Sequence, residues 1–115
     1  MKNGFGRFNN EDGTYYIGQF KNNFCHGEGI EYYKNNKIKY EGYFVFGKYE
    51  GNGRYNEEDG NYYIGQFINS LKHGKGIEYY NNNKIKYEGD FALGKYEGNG
   101  RYNCENGDLL YKTIY

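Results

Sequence analysis

His26 and His73 are the first residues to test for chemistry, because each stands one place before a Gly-x-Gly. As metal ligands they would need converging Cys, His or carboxylate partners at tetrahedral spacing. Their repeated neighbours are only Glu and Asn of turns, so a structural place in the turn is the better reading. Gly27-x-Gly29 and Gly74-x-Gly76 could cradle a phosphate, but they lack the third glycine and the following helix that such a loop requires. Glu41, Glu50, Glu88 and Glu97 could pair as general acid and base. They are regularly spaced along exposed strands with no pocket, and they read as solvated charges. No Ser-His-Asp or Cys-His arrangement is suggested. Cys25 matches Lys72 and Cys104 matches Glu57 in the repeat described next, so nothing pairs the two thiols, and both are expected to be reduced. The expectation is therefore a protein without catalytic residues, metal or cofactor, and not an enzyme.

These residues are positioned by a repeat. Tyr63-Ile64-Gly65-Gln66-Phe67, followed by His73-Gly74-Lys75-Gly76, restates Tyr16-Ile17-Gly18-Gln19-Phe20 with His26-Gly27-Glu28-Gly29. Looser copies are Tyr40-Glu41-Gly42-Tyr43-Phe44 with Gly51-Asn52-Gly53, and Tyr87-Glu88-Gly89-Asp90-Phe91 with Gly98-Asn99-Gly100. The rule is Tyr-x-Gly-x-Phe, about seven residues of turn, then Gly-x-Gly, and it returns alternately after 24 and 23 residues. A period of this size marks a repeat architecture in which each unit is one small supersecondary element. The longer period is the closer match: Gly4 to Glu50 aligned on Gly51 to Glu97 gives 34 identities in 47 positions.

The 115 residues allow one domain, 1–115. It divides into a partial unit at 4–14, units at 15–38, 39–61, 62–85 and 86–108, and a capping strand at 109–115. Lys+Arg and Asp+Glu are both 15, a balance that argues against nucleic acid, whose phosphates demand clustered positive charge. The chain holds 17 Tyr, 8 Phe and 19 Gly but no Trp or Pro. Disordered chains lack aromatics, whereas Tyr and Phe suit a pleated, half-wet surface. No apolar run is long enough to span a bilayer and no signal peptide is visible, so a cytoplasmic protein is expected, with cytoskeletal or membrane association open.

No segment shows helical periodicity over three turns, and Gly recurs too often for helix. Ten short strands are predicted. Five carry Tyr-x-Gly-x-Phe (15–20, 39–44, 62–67, 86–91, 109–115) and five carry Gly-x-Gly (4–9, 27–33, 51–56, 74–80, 98–103). Asp12-Gly13, Asp59-Gly60 and Asn106-Gly107 are hairpin signals whose two residues both accept positive φ. Lys34-Asn35-Asn36-Lys37 and Asn81-Asn82-Asn83-Lys84 turn with one extra residue. The fold class is all-β: an elongated, single-layer antiparallel meander of successive hairpins.

Side chains alternate across a strand, so Tyr16, Gly18 and Phe20 share a face, and so do Gly27 and Gly29. A glycine between two rings leaves a gap for a ring of the neighbouring strand. Gly18, Gly27, Gly29, Gly42, Gly51, Gly53, Gly65, Gly74, Gly76, Gly89, Gly98 and Gly100 are assigned this structural role. Thr113 replaces Gly in the last unit, as befits a terminal cap. A single layer leaves one aromatic face uncovered, and an exposed apolar stripe marks a binding surface. Its candidate residues are Tyr16, Phe20, Tyr33, Tyr40, Phe44, Tyr63, Phe67, Tyr80, Tyr87 and Phe91, with sheet packing as their first job. Lys37, Lys39, Lys84 and Lys86 could touch acidic lipid, but Glu41 and Glu88 interleave with them, which favours a solvated face.

Tyr-Glu-Gly-x-Phe, a polar turn and His-Gly-x-Gly at this period resemble the MORN repeat (membrane occupation and recognition nexus) over nearly the whole chain, Gly4 to Tyr115. Two departures are Phe20, Phe44, Phe67 and Phe91 where the family often has Trp, and the extra residue in the 34–37 and 81–84 turns. The resemblance implies a twisted sheet ~45 Å long, from ten strands at ~4.8 Å, with a shallow groove. It implies a scaffold or adaptor that takes a helical or extended partner segment, in cytoskeletal, ciliary or membrane-apposed assemblies. Acidic phospholipid is the alternative partner it suggests. A further alternative is an accessory module of an enzyme complex. Open sheet edges also make a homodimer conceivable.

Overall fold

The computed structural model describes residues 3–106 and the backbone of 109–114. Ten strands follow one another: β1 (Gly4–Asn9), β2 (Tyr15–Lys21), β3 (Phe24–Tyr32), β4 (Ile38–Val45), β5 (Lys48–Asn56), β6 (Tyr62–Ile68), β7 (Leu71–Tyr79), β8 (Ile85–Ala92), β9 (Lys95–Asn103) and β10 (Leu109–Ile114). They form one sheet in chain order, each strand antiparallel to the next. No helix occurs among the described residues. The ribbon measures 50 × 27 × 18 Å, close to the length expected from strand spacing alone.

The two long edges of the ribbon use different turns. On one edge the strands meet in two-residue turns with both residues at positive φ: Asn22 and Asn23 (51° and 70°), Phe46 and Gly47 (45° and 83°), Asn69 and Ser70 (50° and 67°), Leu93 and Gly94 (49° and 85°). This twist matches that of the flanking strands. The seven-residue turn expected after Phe20 is therefore wrong. β3, β5, β7 and β9 each begin about three residues before their Gly-x-Gly, and the bulge falls at the first glycine of that phrase and its neighbours.

On the other edge, Asn10, Tyr33, Glu57 and Tyr80 each accept a hydrogen bond at their carbonyl from the N–H three residues on, at 2.9–3.1 Å. Only the fourth residue of each turn has positive φ: Gly13, Asn36, Gly60 and Asn83. Asp12 and Asp59 lie outside that region, contrary to expectation. Their carboxylates, like the amide oxygens of Asn35 and Asn82, instead accept the N–H two residues on, the ordinary reason for Asp and Asn in turns. All four turns are thus alike. The extra residue of the longer repeats is not in the turn: it is a bulge at Lys39 in β4 and Lys86 in β8, where the register shifts by one.

Cross-strand pairing aligns Gly6, Gly18, Gly29, Gly42, Gly53, Gly65, Gly76, Gly89 and Gly100 in one row across nine strands. Thr113 continues the row by its backbone; its side chain, with the capping role assigned to it, lies outside the described residues, as do Gly107 and Tyr115. The row is where the core forms. Tyr40 lies over Gly42 of its own strand and Gly53 of the next, and Tyr16, Tyr63 and Tyr87 lie over their equivalents. The covering ring comes from the glycine's own strand as well as its neighbour, not from the neighbour alone. Each hydroxyl donates to the carbonyl three residues on: Gln19, Tyr43, Gln66 and Asp90, at 2.7–3.1 Å.

The two glycines of Gly-x-Gly do different work. The second underlies a ring. The first, as at Gly27 (φ 93°), makes the bulge, and there the Gln19 amide closes over it. Phenylalanines complete the core. Phe44 meets Tyr16 and Tyr40 edge-on, Phe67 meets Tyr40 and Tyr63, and Phe91 meets Tyr63 and Tyr87, with centroids 4.9–5.3 Å apart. Among the described residues, a single-layer sheet thus buries eight rings within one face.

Candidate functional site

The ten aromatics proposed for the groove have two fates. Tyr16, Phe20, Tyr40, Phe44, Tyr63, Phe67, Tyr87 and Phe91 are buried, at 0–6% exposure, and form the floor of the aromatic face. Tyr33 and Tyr80 sit at the turn edge, where their hydroxyls donate to the carbonyls of Asn56 and Asn103 at 2.6 Å. Each such bond ties one repeat to the next.

A different set of rings lies above the floor. Tyr49 stacks on Tyr40 at 3.8 Å, and Tyr96 stacks on Tyr87 at 3.9 Å. Tyr55 and Tyr102 pack beside them. All four are only partly buried. Sequence reasoning missed them because they lie outside Tyr-x-Gly-x-Phe. The signal was present in the matching phrases Lys48-Tyr49-Glu50-Gly51 and Lys95-Tyr96-Glu97-Gly98.

Two carboxylates stand on this face. Register places Glu31 opposite Tyr16 and Tyr40, and Glu78 opposite Tyr63 and Tyr87. Tyr49 donates its hydroxyl to Glu31 Oε1, and Tyr96 donates to Glu78 Oε1 at 2.6 Å. Lys72 Nζ is 2.6 Å from Glu78 Oε2 and 5.1 Å from the Tyr63 ring centre. Lys39 and Lys86, the bulge residues, reach over Tyr33 and Tyr80 at 5.8 and 5.9 Å. An open groove runs between these groups at mid-ribbon, lined by Lys39, Tyr49, Tyr55, Phe67, Ser70, Leu71, Lys72 and Gly94.

Burial sets the protonation of this face. It pushes the Tyr40 and Tyr63 hydroxyls up to about 12 by excluding water from the phenolate. Burial raises Tyr49 further, and its bond to Glu31 adds to the effect. The Cys25 thiol rises to about 11, first from burial and then from the nearby Glu31 charge. A thiol so shifted is protonated and unreactive at neutral pH. Cys25 and Cys104 form no disulfide.

The remaining candidates are dispersed. His26 Nδ1 accepts the Phe46 N–H at 3.2 Å and its ring packs on Phe46, a place in the turn as expected. His73 Nδ1 is buried without a hydrogen-bond partner. Glu41 and Glu88 pair in register with Arg54 and Arg101, on the face opposite the aromatic one. Glu50 accepts the Asn69 N–H at 3.0 Å, and Glu97 is exposed. Lys37 and Lys84 are exposed at their turns. No three His, Cys, Asp or Glu side chains converge among the described residues.

The opposite face carries the row Arg7, Ile17, Ile30, Glu41, Arg54, Ile64, Ile77, Glu88 and Arg101. Beside it, Arg7 covers Tyr15, which stacks on Tyr32, and Arg54 covers Tyr62, which stacks on Tyr79. The two-residue-turn edge exposes Phe24, Phe46, Ile68, Leu71 and Leu93.

Serial hairpins in one open sheet, a glycine row under flat tyrosines and a mixed aromatic and charged surface define a hairpin-repeat protein built to present a face. The chain belongs to the MORN repeat family, whose model matches residues 16–38, 40–62, 63–84 and 87–109. Repeats of this family are in general protein- or membrane-interaction modules. No curated protein matches the chain at a significant level. Among the described residues no helix is long and apolar enough to cross a membrane.

Proposed function

We propose that the protein is a non-enzymatic scaffold or adaptor that holds a helical or extended segment of a partner polypeptide along the aromatic face. The observation that carries this reading is the mid-ribbon groove. It combines the accessible sides of Tyr49 and Tyr55 with the Leu71 side chain and charges of both signs. Such a mixture suits a polypeptide, which offers apolar anchors and polar groups together. Family membership supports a place in cytoskeletal, ciliary or membrane-apposed assemblies of the cytoplasm. The test is affinity purification followed by mass spectrometry, repeated with Leu71→Asp. Leu71 is 43% exposed, so this change leaves the core alone. Loss of the captured partner, with an unchanged circular dichroism spectrum, supports the reading. Capture that survives Leu71→Asp in full defeats it.

One observation favours a second reading, a peripheral module on acidic phospholipid. Phe46 and Leu93 project from turn tips at 50% and 65% exposure, and Lys21, Lys48 and Lys95 lie on the same edge. Apolar tips with adjacent cations are what an anionic membrane surface attracts. Flotation with phosphatidylserine vesicles decides it: salt-sensitive flotation supports this reading, and absence of flotation removes it.

A further inference from the structure

Among the differences between the two 47-residue blocks on the aromatic face, Cys25 against Lys72 is the one that changes charge, and it has a chemical meaning. In the second block Lys72 extends from β7 so that its ammonium sits 2.6 Å from Glu78 Oε2, 5.1 Å from the Tyr63 ring centre and 5.8 Å from that of Phe91. The other carboxylate oxygen is held by Tyr96. This is a cation seated in a pocket of two rings and a carboxylate, with each oxygen assigned. In the first block the same pocket is built from Tyr16, Phe44 and Glu31, again with Tyr49 on Oε1. The position of Lys72 is taken there by Cys25, which is too short to reach the carboxylate and carries no charge. Glu31 Oε2 has no hydrogen-bond partner among the described residues. Lys39 approaches only to 3.9 Å, and on the Oε1 side. Its counterpart Lys86 lies over the Tyr80 ring, and among the described residues the cation paired with Glu78 is Lys72. The Glu31 side chain is also the more open, 20% accessible against 15% for Glu78.

We infer that Glu31, with Tyr16, Phe44 and Tyr49 around it, is a binding site for a primary ammonium group, supplied by a lysine of the partner polypeptide in the place that Lys72 fills internally one block later. The partner side chain enters along the vector of Lys72, its methylenes over Cys25 and its ammonium on Glu31 Oε2. The inference rests on the scaffold reading for the identity of the partner, and on the internal repeat for the chemistry.

The test uses n-butylammonium as the probe and 1-butanol as its neutral control, followed by amide chemical shifts of the whole protein. Butylammonium is expected to shift Cys25 and Glu31 saturably, at least about tenfold more tightly than butanol does. Glu31→Gln, which keeps an oxygen for Tyr49, weakens this response about tenfold. Cys25→Lys abolishes it, and Lys72→Cys creates a second response at Glu78. Cys25→Lys also raises the urea midpoint above that of Cys25→Met, an outcome independent of any ligand. Equal response to butanol, no saturable shift at Glu31, or no gain in Lys72→Cys overturns the site. With the captured partner, loss of binding in Leu71→Asp but not in Glu31→Gln overturns the slot and leaves the scaffold standing. No loss with either variant overturns both.

Discussion

Tyr40 lies flat over Gly53, so close that a Cβ built on the glycine would sit 2.6 Å from the ring carbon Cε1. The ring fills the space of two missing side chains, Gly42 and Gly53, and its hydroxyl bonds the Tyr43 carbonyl. Gly53→Ala is therefore expected to destabilise by about 3 kcal/mol, the upper range for overpacking. Tyr40→Phe, which keeps the ring and loses the bond, should cost only about 1 kcal/mol. Urea unfolding followed by circular dichroism measures both. A Gly53→Ala protein as stable as the parent would refute the ring-on-glycine core.

Phe46 and Leu93 hold φ of 45° and 49° at positions where a left-handed backbone favours Asn or Gly. Phe46→Asn and Leu93→Asn should each stabilise the chain by about 1 kcal/mol. If the edge meets a membrane, the same double variant loses flotation while gaining stability. The thermal midpoint and the flotation assay report these two effects separately.

High pH should unfold this protein through its tyrosines. Burial raises Tyr40 and Tyr63 to about 12, whereas unfolded tyrosine titrates near 10. The folded state favours the neutral phenol, so the stabilisation is complete below about pH 10 and is lost as pH rises towards 12. Each such tyrosine contributes a slope of about 1.4 kcal/mol per pH unit in that window. Urea midpoints should therefore fall above about pH 10, with phenolate absorbance appearing together with unfolding. Midpoints that stay level to pH 11 would contradict this.

The Lys72–Glu78 pair has side chains only 25% and 15% accessible and lies beside Tyr63 and Tyr96. A double-mutant cycle with Lys72→Met and Glu78→Gln should give a coupling of about 1 kcal/mol, above the usual value for exposed pairs. The exposed pair Lys75–Asp90, at 3.5 Å, should give near zero in the same experiment. Equal couplings would remove the distinction between the two faces.

Much of the fold was legible because its rules are local. Tyr-x-Gly-x-Phe places rings and a glycine on one face whatever their partners, and Asp12-Gly13 and Asn35-Asn36 mark turns by their own backbone preferences. The tight turns were misjudged in all four copies, at Asn22-Asn23 and Asn69-Ser70 as well as at Phe46 and Leu93, which stand in left-handed positions that such residues rarely adopt. The extra residue of the longer repeats was placed in the 34–37 and 81–84 turns rather than at Lys39 and Lys86, because a bulge inside a strand leaves no mark of its own in the composition. At the aromatic face, the sequence named the floor and missed the rings stacked on it. Whether a repeated tyrosine lies beneath another ring or above it depends on contacts such as Tyr49 on Tyr40, made between adjacent strands.

The sequence by itself determined the period, the antiparallel meander and the aromatic face, because alternation and turn chemistry act within about ten residues. Only the tertiary structure decided which rings are sealed in and which carboxylate is gripped closely by a lysine, as Glu78 is by Lys72 at 2.6 Å while Lys39 stays 3.9 Å from Glu31. Glu31 and Tyr49 are 18 residues apart, and register brings them together; once it does, excluded water gives the meeting its energy.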